Sequence, residues 1–278
     1  MRYRLLALDL DGTLLRRDGH VDNRDIAAIS ELQAAGVIVT IVTGRLHSGA
    51  TGAARACAIE GVIACCEGSH LVELASGRTL VHHGMSDDLA ALVRRTVVEN
   101  GLTSFVFDAS GIHHEHAGAP YAPYISTWSP NLRIVEEDVV WQTVPLAAVA
   151  VGDEPAIAAA HDALRAHAER LFSVSFPIHA LPTPRSSSEP GKHALMVRAA
   201  GPTKGTALAD LCQRAGCSLA EAVAIGDWVN DVPMFEVAGR SFAMGTAPDA
   251  VSAKATDLLS HTAEAGGGIA EAIRRAWG

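Results

Sequence analysis

The stretch that most constrains this chain is residues 3–15, YRLLALDLDGTLL. An apolar run of strand length, Leu5–Leu8, ends in two aspartates one residue apart, Asp9 and Asp11, followed by a glycine that can turn the backbone. In an extended strand, residues i and i+2 point the same way, so both carboxylates leave the strand end on one side. Two like charges so close raise each other's pKa unless a cation or hydrogen bonds keep both ionised. The stretch therefore asks for a cation and for chemistry that places a nucleophile beside an acid. A calcium loop is excluded, because its glycine and glutamate places hold Leu14 and His20. A solvated acidic turn at a strand end is the plainer alternative.

Two further runs share this plan. Residues 37–42, VIVTIV, read as a strand buried on both faces, and end in Thr43-Gly44-Arg45. Residues 222–225 form another, ending in Gly226-Asp227, with Asn230-Asp231 opening the next helix. A helix capped by Asp22 or Asn23 and stopped at Gly36 precedes the first of these runs, and a helix over 48–59, a strand over 62–66 and a hairpin over 71–82 follow it. Strand and helix alternate, which is the mark of an α/β doubly wound parallel sheet with its sites at the carboxyl ends of the strands. Within 83–200 the pattern changes to a helix followed by two strands, repeated: a helix over 87–100, strands over 103–107 and 112–116, a strand over 146–151, a helix over 154–170 and a strand over 171–176. This indicates an inserted α+β module. Residues 177–192, rich in Pro and Ser, read as a loop, and 117–143, rich in aromatic residues, match no regular element. After a strand over 193–197 the parallel pattern resumes: a helix over 207–215, a strand over 241–244, a helix start at Thr246 and Pro248, and a closing helix over 268–276. The expected division is 1–82 with 201–278 as the core, and 83–200 as the insertion.

At 278 residues the chain buries a core without staples. Its net charge of -9 gives no basic footprint for nucleic acid. No run reaches the roughly 18 apolar residues of a spanning helix, so no membrane partner is expected. Five cysteines without zinc-like spacing fit reduced thiols and a cytoplasmic location. Other clusters are weaker. His113, His114, Glu115 and His116 hint at a metal, but alternate residues of a strand face opposite ways, which favours a solvated strand. Arg133, Arg185, Lys192 and Arg198 are candidates for a second anionic group on a substrate.

Taken together and in order, DLDGT, TGR, TKG and GDWVND resemble the four motifs of the haloacid dehalogenase-like (HAD) superfamily. The insertion between the second and third motifs and the GDWVNDVPMFEVAG form of the last are similar to the Cof-like phosphatases with a type-2 α/β cap. The resemblance implies a Mg²⁺-dependent phosphatase acting on a small phosphorylated metabolite, such as a sugar phosphate or phosphorylated cofactor. It gives Asp9 the role of nucleophile, forming an aspartyl phosphate, and Asp11 that of acid and then base. Mg²⁺ is assigned to Asp9, the backbone carbonyl of Asp11, Asp227 and Asp231. Thr43, Gly44, Arg45 and Asn230 are assigned to the phosphate, with Lys204 offsetting charge, and the cap would close over the core and exclude water. Alternatives are a sugar phosphomutase of the same superfamily and a regulator that binds a phosphorylated metabolite without turnover. Monomer and homodimer are both compatible. Two places depart from the family pattern: Glu67-Gly68 stands where members carry Asn-Gly, and Thr246 stands near the start of a late helix where they carry Asn. Trp228, between the acidic residues of the last motif, is bulkier than usual and is expected either at the pocket mouth or packed against the cap.

Overall fold

Apolar runs without alternation require cover on both faces, and the core builds itself around that requirement. The computed structural model describes residues 2–137, 139–178 and 191–278. In chain order the core begins β1 (Leu5–Leu8), α1 (Asn23–Ala34), β2 (Ile38–Ile41), α2 (His47–Ala56), β3 (Val62–Cys65), β4 (His70–Glu73) and β5 (Thr79–His82). The insertion follows as α3 (Asp87–Glu99), β6 (Thr103–Asp108), β7 (Gly111–His114), α4 (Ala122–Ile125), β8 (Leu132–Ile134), β9 (Ala147–Asp153), α5 (Glu154–Arg165), β10 (Leu171–Pro177) and β11 (Lys192–Ala199). The core then resumes with α6 (Lys204–Ala215), β12 (Ala222–Gly226), α7 (Val232–Val237), β13 (Arg240–Ala243), α8 (Asp249–Ser252), β14 (Asp257–Leu258) and α9 (Gly268–Trp277). Two compact units result: residues 1–81 with 202–278, and residues 82–201.

The core sheet is parallel, in the order β14-β13-β12-β1-β2. All four residues of β1 are buried. Leu6 and Leu8 pack with Ile29 of α1, Ala53 of α2 and Ile273 of α9, while Leu5 and Ala7 pack on the opposite face with Leu208 and Leu211 of α6 and Phe235 of α7. The chain leaves β1 toward β2 on one side and later returns as β12 on the other. The carboxyl end of β1 therefore lies where the strand order reverses, a place where a crevice forms in open α/β sheets.

Local chemistry sets the helix ends. The Asp22 carboxylate caps α1 through the Arg24 amide at 2.9 Å, and Gly36 (φ 86°) ends it. Asp25, buried on α1, accepts from the Gly267 amide at 3.0 Å and the Ala270 amide at 2.8 Å, which ties α1 to the start of α9.

The sequence pattern places the third strand in the main sheet, but its continuity is interrupted. β3 runs parallel to β2 through a single bridge, Val42 to Ala64, and otherwise pairs antiparallel with β4 in a separate sheet ordered β3-β4-β5. The Thr40 hydroxyl donates to the Val62 carbonyl at 2.7 Å, and the Thr43 amide donates to Ala64 at 2.9 Å. A side chain thus replaces one rung of the ladder. Elsewhere α5 stops at Arg165, short of the expected 170, and Asn230-Asp231 belong to a short 3₁₀ turn, Val229–Asp231, that precedes α7.

The inserted unit is a six-stranded sheet, β10-β11-β9-β6-β7-β8, antiparallel except for β7 with β8. One face carries α3 and α5 over Val93, Val97, Ile157 and Leu164, packed on Ala148, Ala150, Leu195 and Val197. The described residues of 117–143, unassigned from sequence, include most of a 3₁₀ segment, His116–Tyr121, together with α4 and β8. They also supply an aromatic group in which Trp128 meets Tyr124 at 5.4 Å, Phe107 at 6.1 Å and Phe176 at 6.5 Å between ring centroids.

The solvated-strand reading of the histidines does not hold. His114 is buried, stacks near Phe105 at 4.9 Å and shares a hydrogen bond with the Glu115 carbonyl, while half-buried His113 lies 3.0 Å from Asp108. The two do face opposite ways, but both faces of β7 are covered. Lys192 pairs with Asp153 at 2.7 Å, Arg198 is buried with its guanidinium over Phe172, and Arg133 is exposed. Arg185 lies outside the described residues.

Candidate active site

Three chain segments far apart in sequence meet at the carboxyl ends of β1 and β12. Asp9 follows β1 directly, and its amide donates to the Ile225 carbonyl at 3.0 Å, locking the strand end to β12. Asp227 follows β12. Lys204 is the first residue of α6, capped by Thr203, whose hydroxyl accepts from the Thr206 amide at 3.2 Å. A lysine is unfavourable at a helix amino terminus, where the dipole is positive. This one is 0% exposed and is held by two carboxylates, Asp9 Oδ1 and Asp231 Oδ1, each 2.6 Å from Nζ. Most lysines are solvated, and burial of this one depends on those two ion pairs.

Asp231 is fully committed. Beyond Lys204, its Oδ2 accepts from the Asp227 amide at 2.8 Å and the Trp228 amide at 2.9 Å. It thereby shapes the loop that presents Asp227. Asp227 Oδ1 accepts from the Thr13 hydroxyl at 3.3 Å, a contact no motif reading assigned, although Thr13 closes DLDGT. Gly12 makes this approach possible. Its φ of 80° is left-handed, and a Cβ there would lie 2.2 Å from Asp227 Oδ2.

Asp11 takes a different position from Asp9. Its side chain is 59% exposed and is gripped by Arg45, whose Nε donates to Oδ2 at 2.8 Å and whose Nη2 donates to Oδ1. Arg45 also donates to the Gly49 carbonyl at 3.2 Å, so the arginine of TGR is engaged with protein groups. Thr43 is buried, and its hydroxyl accepts from the Arg45 amide at 3.1 Å. Asn230 donates to Glu67 Oε1 at 2.9 Å. Trp228 is 56% exposed and its neighbour Val229 61%, so the indole is not packed into a core.

The electrostatics show what the cluster lacks. Oxygens of Asp9, Asp227 and Asp231 lie within 4.8 Å of one another, the one group among the described residues with such spacing of potential metal ligands. Burial pushes the Asp9 carboxyl well up; Lys204 opposes this, and the charges of Asp231 and Asp227 add to it. Burial lowers the preference of Lys204 for its ammonium form, but Asp231, Asp9 and Glu67 outweigh it and hold the ammonium firmly. Asp227 is pushed up to about 7 by burial and by Asp231, against Lys204 and the Thr13 hydrogen bond, with Asp11 adding a further rise. Three carboxylates and one ammonium leave negative charge uncompensated, and an all-oxygen set suits a hard divalent cation.

A pH dependence follows. Between the ordinary carboxylate range and about 7, folded Asp227 retains a proton that the unfolded chain has released. Its contribution to the stability of the cation-free protein therefore declines as pH rises through that window. A divalent cation needs the ionised form and competes with the proton. Mg²⁺ is expected to raise the melting temperature more at pH 8 than at pH 6, measured by thermal unfolding with and without the ion; equal shifts at both would contradict this.

Comparison with known proteins agrees with the geometry. The chain is 29% identical over 268 residues to the pyridoxal phosphate phosphatase YbhA of Escherichia coli, covering 93% of this chain and 94% of that protein. It is 27% identical over 248 residues to an HMP-PP phosphatase of Yersinia pseudotuberculosis, covering 88% and 85%. In fold it is similar to a haloacid dehalogenase-like hydrolase from Bacteroides thetaiotaomicron, with a TM-score of 0.83, 24% identity and coverage of 99% of this chain and 100% of that one. It is also similar to a HAD subclass IIB sugar phosphatase, with a TM-score of 0.78, 16% identity and 98% coverage of both chains. The sequence profile of the haloacid dehalogenase-like hydrolases matches residues 6–273, and the chain belongs to that family.

Proposed function

We propose that the chain hydrolyses the phosphate ester of a small metabolite, with Asp9 as nucleophile toward phosphorus. The observation that carries this reading is the buried contact of Asp9 with Lys204, in a cluster where one ammonium faces three carboxylates, Asp9, Asp231 and Asp227, and a further cation is called for. Covalent transfer to a carboxylate divides one very slow hydrolysis into two easier steps. In this reading Asp9, Asp227 and the Asp11 carbonyl would hold Mg²⁺, with Asp231 beside them shaping the loop that presents Asp227, and the ion would offset the charge of the nucleophile and of the phosphoryl oxygens. Lys204 fixes the orientation of Asp9 and adds positive charge beside it. Asp11, exposed and held by Arg45, protonates the leaving oxygen and then takes a proton from the attacking water. Thr43, Gly44 and Asn230 contribute polar groups to the phosphoryl oxygens.

The named activities of the relatives, on pyridoxal phosphate and on HMP-PP, support a phosphorylated cofactor or its precursor as substrate class. The inserted unit, with its aromatic group around Trp128, is the part we assign to choosing the leaving group. A cytoplasmic setting accords with five free cysteines, and no described helix is long and apolar enough to cross a membrane. Release of inorganic phosphate from an aryl phosphate and from pyridoxal 5′-phosphate, with Mg²⁺ and with a chelator, tests the reading. Metal-dependent release is expected. Metal-dependent binding of phosphate without release would instead support a sensor.

A further inference from the structure

Glu67 stands where the phosphate-binding groups meet. It follows β3 in a turn whose backbone is left-handed at Cys66 (φ 48°), Glu67 (φ 58°) and Gly68 (φ 95°), and side chains seldom occupy two such positions in succession. The turn is stitched to the Thr43-Gly44-Arg45 loop: the Glu67 amide donates to the Thr43 carbonyl and the Cys66 amide to the Arg45 carbonyl, both at 3.0 Å. This places the carboxylate in a defined spot. Oε1 accepts from Asn230 Nδ2 at 2.9 Å and presses on Gly44 so closely that a Cβ there would lie 2.5 Å away. Its charge is also felt by buried Lys204. Gly44, Asn230 and Lys204 are three of the groups assigned above to the phosphate and its charge.

We propose that Glu67 sets the anion affinity of the site: its carboxylate occupies the phosphoryl-oxygen position of the cradle and must yield it, or remain as a like charge, whenever phosphate binds. This inference rests on the phosphatase reading and adds a role for the one acidic side chain in the cradle that the chemistry does not use. The half-buried Glu67 has three rotatable bonds and a hydrogen bond to Asn230 that it can release. Either displacement or repulsion weakens ground-state binding of substrate and of inorganic phosphate, while leaving Asp9 and Lys204 in place. The consequence is an enzyme that releases its phosphate product readily.

The test uses the full chain with Mg²⁺ and compares wild type with Glu67→Gln, which keeps the acceptor for Asn230 and removes the charge. Glu67→Ala, which removes both, serves as a second variant, and thermal unfolding confirms that each is folded. Inhibition by inorganic phosphate and by orthovanadate is expected to tighten about tenfold in the Gln variant, with KM falling in step and kcat not rising. Unchanged or weaker inhibition in a folded variant would overturn the proposal and show Glu67 to be a turn-forming residue only. If wild type neither hydrolyses an aryl phosphate nor binds inorganic phosphate, the phosphatase reading fails and this inference falls with it. Turnover with unaltered phosphate inhibition in the variants removes the inference alone.

Discussion

Asp9→Asn protein is expected to fold and to lose turnover by at least about 10⁴-fold in kcat, since an amide oxygen does not replace the carboxylate as nucleophile. The substitution is nearly isosteric and removes a group whose ionised form burial disfavours, so the fold should tolerate it. Lys204 still pairs with Asp231. Loss of activity without loss of structure would separate a chemical role for Asp9 from a structural one, and circular dichroism beside a phosphate-release assay makes the distinction. Activity within tenfold of wild type would remove Asp9 from the reaction.

Lys204→Ala is expected to be destabilising as well as inactivating. Lys204 is 0% exposed and its ammonium answers Asp9 and Asp231 at 2.6 Å each. Its removal leaves two buried carboxylates without their cation, and breaking a buried pair in this way costs about 3–5 kcal/mol. Denaturant unfolding in the absence of divalent cations measures the loss directly. Mg²⁺ should recover part of it, because an ion at Asp9 and Asp227 supplies positive charge that the lysine no longer does. A variant as stable as wild type would mean that the carboxylates protonate without penalty and that the lysine is dispensable to the cluster.

Much of this architecture was readable because parallel strands buried on both faces have an unambiguous signature. LLAL at β1, IVTI within 37–42 and AVAI at β12 have no alternation, and each ends in residues that reach the site. What lay hidden depended on contacts that local sequence does not encode. The resemblance gave Lys204 a charge-offsetting role, but Thr-Lys-Gly by itself did not reveal its burial or its two partners, carboxylates 195 and 27 residues away. Glu67 was visible as a departure in residue type, but its contact with Asn230, 163 residues distant, was not. Alternation placed His113 and His114 on opposite faces, yet could not reveal that both faces of β7 are covered. The interruption between β2 and β3 rests on the hydroxyl of Thr40, which in sequence is merely a tolerated strand residue. The described residues of the aromatic segment 117–143 form a short 3₁₀ stretch, a four-residue helix and a three-residue strand, each too brief for periodicity to register.

Covalent transfer to Asp9 is the central step of the proposed reaction. Rapid quenching of the Mg²⁺-loaded wild-type protein during turnover of a radiolabelled aryl phosphate, followed by peptide mapping under acidic conditions, tests it most directly. The prediction is an acid-stable, alkali-labile phosphoryl group on the peptide containing Asp9, approaching one per chain at early times and absent from Asp9→Asn protein. Full turnover with label on no peptide, or on a residue other than Asp9, would contradict it.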